Sequence, residues 1–129
     1  MVNFDEQGVF LAVGTNKGKL YIFDALTLDL KFEFLLSTKN SGVAEQIVFH
    51  DSWFVVSDTT FSITLFRFDF GGKSDGEERN TEVAFQYLGR CRSHTNSIVS
   101  MIFKEDKLIT IGYDRYMVEY RGRVEIGGN

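Results

Sequence analysis

Proline is absent from the sequence, cysteine occurs once, and no apolar run approaches a membrane span. Each absence removes a class of protein. Without proline there are no Pro-rich linkers, and the composition leans towards strands. Cys91 alone can form neither an intrachain disulfide nor a thiolate metal cluster, so it reads as a small hydrophobe near a strand end. A bilayer-spanning helix needs about 20 apolar residues. The amino terminus, Met1 to Glu6, is acidic where a signal peptide would be basic. A soluble, cytoplasmic chain without a membrane partner is therefore expected. Basic surplus is missing too: 14 Lys and Arg face 18 Asp and Glu, for a net charge of -4. A phosphate-binding surface needs a basic stripe, so nucleic acid is excluded as a partner.

What is present is apolar and aromatic. The 43% hydrophobic content can bury the core of one domain, and 13 Phe favour strands. Short runs rich in Val, Ile, Phe and Tyr predict strands at Val9 to Val13, Leu20 to Phe23, Phe32 to Leu36, Glu45 to Phe49, Trp53 to Val56, Ser62 to Phe68, Phe85 to Leu88, Ile98 to Phe103, Leu108 to Ile111 and Tyr116 to Tyr120. Helical spacing never persists for three turns. Runs such as Val9-Phe10-Leu11-Ala12-Val13 and Trp53-Phe54-Val55-Val56 are apolar on both faces, as in sheets covered on both sides. Radially stacked blades meet that condition better than a sandwich with one polar face.

The runs also repeat. Phe4, Phe49 and Phe103, 45 and 54 positions apart, each precede a polar turn and a hairpin. Removing an insertion from the second interval leaves a blade-like period of about 40 to 45. That insertion is the Gly-rich, charged segment 71–84, expected to be a mobile loop between the third and fourth strands of its unit. The expected fold is all-β: a partial propeller of about three consecutive antiparallel four-stranded blades, at 1–36, 44–91 and 94–126, incomplete at both ends. The first strand is shortened and the last, before Asn129, departs from the pattern.

The third unit, HTNSIVSMIFKEDKLITIGYDRYMVEY, resembles a WD repeat. That pattern opens on His and places apolar residues four, seven and nine positions later, matched here by His94, Ile98, Met101 and Phe103. An Asp six residues before the signature Trp, with a Ser or Thr four residues before that Asp, is matched by Asp114 and Thr110, with Tyr120 in place of Trp. The resemblance implies a structural tetrad of His94, Thr110, Asp114 and Tyr120, in which Asp114 accepts from His94 and His94 links to Thr110. The first unit keeps the outline, with Lys17 and Val13 at the tetrad places and Phe23-Asp24 for Trp-Asp; in the second, Phe68-Asp69 takes that role. The ending DRYMVEY is similar to ciliary WD-repeat proteins. What this implies is a non-catalytic protein-interaction scaffold, part of a larger propeller in a ciliary or flagellar axonemal assembly, with axonemal complex subunits as protein partners.

Chemistry is thin elsewhere. Gly72-Lys73-Ser74 echoes a phosphate-binding loop, but Arg67 stands where its first Gly is required. His50 and His94, the only imidazoles, lack metal-ligand spacing. His50-Asp51 offers two members of a hydrolytic triad, yet adjacency on a strand end is expected to turn the side chains apart. Glu77-Glu78 lies in the charged loop, where carboxylates stay solvated. No catalytic, cofactor-binding or metal residue is assigned, and no cofactor is expected. Two other readings remain open: a β fragment that self-associates through exposed blade faces, and a hydrolase-type domain using His50 or His94 as base. The loop 71–84 is the candidate binding surface.

Overall fold

The computed structural model describes residues 1–5, 7–36, 42–70, 83–105 and 107–121. Every regular element among them is a strand, and within each sheet consecutive strands pair as antiparallel hairpins. The first sheet holds β1 (Val2–Phe4), β2 (Phe10–Gly14), β3 (Lys19–Asp24) and β4 (Leu30–Leu35) in that order. The second holds β5 (Ala44–His50), β6 (Trp53–Asp58), β7 (Ile63–Phe70) and β8 (Val83–Cys91). The third holds β9 (Ile98–Lys104), β10 (Lys107–Gly112) and β11 (Met117–Arg121). Each predicted run falls on a strand, with ends moved by a few residues. Segment 71–84 lies between β7 and β8, but Val83 and Ala84 already belong to β8, and residues 71–82 lie outside the described residues. The expected final strand beyond Arg121 lies outside them too.

The turn between second and third strands recurs in all three sheets. Gly18, Phe61 and Arg115 take φ of 82°, 68° and 74°, and their amides donate to the carbonyls of Thr15, Asp58 and Gly112. Glycine adopts this conformation without strain, whereas Phe61 and Arg115 are held there by the turn's closing bonds. Superposing the turns makes Lys17, Thr60 and Asp114 equivalent, and likewise Phe23, Phe66 and Tyr120. The aromatic place in the second unit thus belongs to Phe66, not Phe68. The eight-residue β7 continues past it and supplies a second Phe-polar pair that imitates the motif.

Alternation along β6 shows how the sheets stack. Phe54 and Val56 enter a core shared with the first sheet, containing Phe10, Ala12, Leu20, Ile22, Phe66 and Phe68. Val55 enters a second core with Ile63, Ile98, Met101 and Leu108, shared with the third sheet. The middle sheet is therefore covered on both faces, and every residue from Phe54 to Asp58 is buried. Aromatic rings dominate the first core: Phe54 stacks on Phe66 at 4.8 Å, and Phe34 meets Phe66 edge-on at 4.9 Å. Side-chain amides bridge the first strands, from Asn3 Nδ2 to the Ile47 carbonyl at 3.0 Å, and from Gln46 Nε2 to those of Ile98 and Val99 at 3.1 and 2.9 Å. Of the three repeated phenylalanines, Phe49 is buried in the first core, Phe103 is half-buried, and Phe4 is exposed on the outer first sheet. Val2 beside it, and Ile102, Ile111 and Met117 on the third sheet, are also exposed.

Candidate functional site

The chain entering the third sheet carries His94, and the β10–β11 turn carries Asp114. His94 is 1% exposed, and its Nδ1 lies 3.0 and 3.1 Å from the two Asp114 carboxylate oxygens. Its Nε2 lies 2.7 Å from Thr110 Oγ1. An ionised carboxylate only accepts, so Nδ1 carries the proton; in a neutral ring, Nε2 then accepts from the Thr110 hydroxyl. Asp114 is filled further by its own surroundings: the Thr95 amide donates to Oδ2 at 2.8 Å, and the Tyr116 amide to Oδ1 at 3.0 Å. Burial works to raise its pKa, but the hydrogen bonds from the Thr95 amide, the His94 imidazole and the Tyr116 amide hold it at about 2. Gly112 makes room for this packing. A Cβ there would stand 2.6 Å from His94 Nδ1 and 2.7 Å from Asp114 Oδ1.

Tyr120, the fourth residue of the expected tetrad, is near but not joined. β11 places it opposite Leu108, and its ring packs on the second core. Its hydroxyl is buried and makes no hydrogen bond among the described residues. Burial pushes its phenol pKa up, against smaller opposing effects from Ser93 and Thr110. The oxygen of a phenol projects from the ring tip, whereas the indole N–H sits on the flank, so the substitution changes where the donor falls. Three residues therefore form a network and the fourth serves as packing.

This geometry bears on the hydrolase reading. Both His94 nitrogens are engaged inside a buried network, so neither is presented to a substrate. His50 differs. Asp51 takes a left-handed φ of 53° that folds its carboxylate back to 3.5 Å from His50 Nε2, correcting the expectation that the two side chains diverge. The imidazole also stacks on Phe103 at 4.9 Å and 11°, joining the second and third sheets.

A second polar cluster, formed by residues that the sequence did not single out, lies in the second unit. Asp58 is fully buried at the head of the β6–β7 turn. Its Oδ1 accepts from the Thr60 amide at 2.8 Å, the Thr60 hydroxyl at 2.6 Å and the Ser62 amide at 3.4 Å. Arg90 Nη2 stands 3.1 Å from its Oδ2 in an ion pair whose angle falls short of a hydrogen bond. The available signal was Asp58-Thr59-Thr60 closing an apolar run, the composition of a side-chain-capped turn. Asp58 lies two positions ahead of Thr60, the place equivalent to Asp114.

Hairpin sheets stacked face to face, with a repeated turn between second and third strands, define blades of a β-propeller. Solved structures agree on the fold. The chain matches the β-propeller domain of Cps50 (Swd1) from Myceliophteria thermophila with a TM-score of 0.64 at 15% identity, covering 93% of this chain and 36% of that one. It matches the WD40 domain of SCAP from fission yeast with a TM-score of 0.64 at 13% identity, covering 96% and 29%. In sequence the chain is similar to cilia- and flagella-associated protein 251: 28% identical to that of Mus musculus over 92% of this chain and 9% of the relative, and 28% identical to that of Tetrahymena thermophila over 92% and 13%. The chain spans about a tenth of the length of these curated relatives. No family model matches it.

Proposed function

We propose that the chain is one stretch of a larger WD-repeat propeller, a non-catalytic scaffold whose partners are other proteins, subunits of an axonemal assembly in cilia or flagella. The observation that carries this reading is the use of His94: one of the sequence's two imidazoles is spent, on both nitrogens, in holding the third blade's entry to its turn. The reading divides the chain into three blades at 1–36, 44–91 and 94–126, with His94, Thr110 and Asp114 as structural residues and Tyr120 as packing. Similarity to ciliary proteins supports the location, and the propeller fold supports protein binding, because rigid strand ends present loops to partners. The chain covers about a third of a solved propeller chain, and the apolar outer residues Val2, Phe4, Ile102, Ile111 and Met117 suit cover by further blades.

The test is location and retention in a ciliated cell. The chain, tagged in its native gene, is expected in the axonemal fraction that survives detergent extraction of the ciliary membrane. Recovery wholly in the soluble cell-body fraction would overturn the ciliary assignment. The exposed apolar faces also favour self-association as a second reading: a defined oligomer of the purified chain in light scattering supports it, and a monodisperse folded monomer removes it.

A further inference from the structure

The second blade does without a His–Asp tie in the described residues, yet its turn contains a fully buried carboxylate. Counting back from Val43 as far as His94 lies from Ser97 reaches Asn40, outside the described residues; Val43 and Ser97 are equivalent, since Thr59 and Tyr113 donate to their carbonyls. Among the described residues, the entering chain approaches Asp58 at Gly42, where a Cβ would stand 3.4 Å from the carboxyl carbon. A buried anion needs a compensating charge.

Arg90 supplies it from β8, by an irregularity in that strand. Phe85 and Val83 pack on the first core, and strict alternation from them would bring Gly89 to the same face. The register shifts between Leu65 and Phe66, where Leu65 opposes Gly89 but Phe66 opposes Tyr87, leaving Leu88 as the extra residue. This bulge turns Arg90 towards the first sheet, opposite Thr64. There its Nη1 donates to the Leu36 carbonyl at 2.7 Å, its Nη2 donates to Thr60 Oγ1 at 2.8 Å, and Nη2 pairs with Asp58 Oδ2. Leu36 follows β4 and is anchored in turn by its amide, which donates to the Gly18 carbonyl at 2.8 Å.

We propose that Arg90 is a positioning residue, aimed by the β8 bulge, that latches the exit of the first blade to the β6–β7 turn of the second. It fixes the two blades at the end where the His94 network fixes the third. The fork of the guanidinium is what the task requires. One nitrogen reaches the neighbouring blade while the other serves the buried turn, and a single ammonium cannot do both.

Amide exchange on the 129-residue chain tests this, with the third blade as internal control. Arg90→Met keeps the alkyl stem and removes the donors. It is expected to speed exchange of the Leu36, Thr60 and Ser62 amides by about tenfold, leaving those of Thr95 and Tyr116 within about twofold of wild type. Arg90→Lys, the variant that retains charge should Arg90→Met fail to fold, is expected to keep Thr60 and Ser62 near wild type while Leu36 speeds up. Equal acceleration in both blades, or an unchanged Leu36 in either variant, overturns the latch.

Discussion

The two joints of the molecule solve one problem with different materials. Between the first and second sheets lies a core rich in phenylalanine, closed at the turn end by Asp58 and Arg90. Between the second and third lies a smaller aliphatic core of Val55, Ile63, Ile98, Met101 and Leu108, closed by His94, Thr110 and Asp114. Both closures use a carboxylate in the same turn: Asp58 accepts from the turn amides of Thr60 and Ser62, Asp114 from the turn amide of Tyr116 and from Thr95 on the entering chain. They differ in position, because Asp58 is equivalent to Gly112 and Asp114 to Thr60. They differ also in the donor. Asp58 is fully buried and is met by a guanidinium whose charge is permanent; Asp114 receives two backbone amides and an imidazole that needs only one proton to serve. What persists between the second and third blades is a turn carboxylate that ties the turn to another segment, rather than any one residue of the motif.

The contrast can be broken most forcefully in the cores. Phe66→Ala removes a fully buried ring that contacts Phe34, Phe54 and Phe32, and should cost about 3–5 kcal/mol. Leu108→Ala in the aliphatic joint should cost less, about 2–3 kcal/mol, because fewer neighbours are left facing a cavity. Urea denaturation of the two variants decides it. Equal losses would mean that the aromatic joint holds no more tightly than the aliphatic one.

At the second joint, His94→Ala strips a buried donor and leaves the Thr110 hydroxyl and the Asp114 carboxylate with fewer partners. A loss of about 1–3 kcal/mol in the same denaturation is expected, and a smaller cavity effect than Phe66→Ala. If His94→Ala unfolds the chain while Phe66→Ala leaves it stable, the order of the two joints is reversed.

The sequence made the fold readable because each strand carries its own evidence. β-Branched and aromatic runs, polar turns and two-sided hydrophobicity are local properties, and all three sheets follow from them. His94, Thr110 and Asp114 were legible for a related reason: the third unit keeps the offsets that place them together. Asp58 and Arg90 were not, since Arg90 reaches its site through a bulge that changes the parity of β8, and no periodic reading anticipates an extra residue. Phe68 misled for the opposite reason, because a long strand repeated the Phe-polar pair beyond its proper place. Tyr120 marks a limit of another kind. Its ring packs where the pattern places an aromatic, but its buried hydroxyl makes no hydrogen bond among the described residues, and sequence spacing does not fix where a phenol oxygen falls.

Acid separates the joints more gently. Asp114 titrates at about 2 in the folded chain against an ordinary value of 3.8. Its folded-state pKa is depressed, so its contribution is complete above pH about 4 and is lost as pH falls towards about 2, where the folded carboxylate takes up its proton. Asp114→Asn should therefore flatten the stability profile between pH 4 and pH 2, with little change in its shape above that range. Thermal melts across that window give the comparison. A variant profile parallel to wild type throughout would show that the His94 network does not couple folding to this carboxylate.

The smallest effect is expected at Tyr120, and it tests whether the tetrad has three members or four. Its hydroxyl is buried without a hydrogen bond among the described residues, so Tyr120→Phe removes a desolvated polar group and leaves the ring in place. Stability should then be unchanged or rise by up to about 1 kcal/mol. Were the hydroxyl completing the network through Thr110, the same change would instead cost about 1 kcal/mol. A double variant with Thr110→Val sharpens the reading. Independent effects, within about 0.5 kcal/mol of additivity, leave His94, Thr110 and Asp114 as the complete network, and a coupling larger than that makes Tyr120 its fourth member.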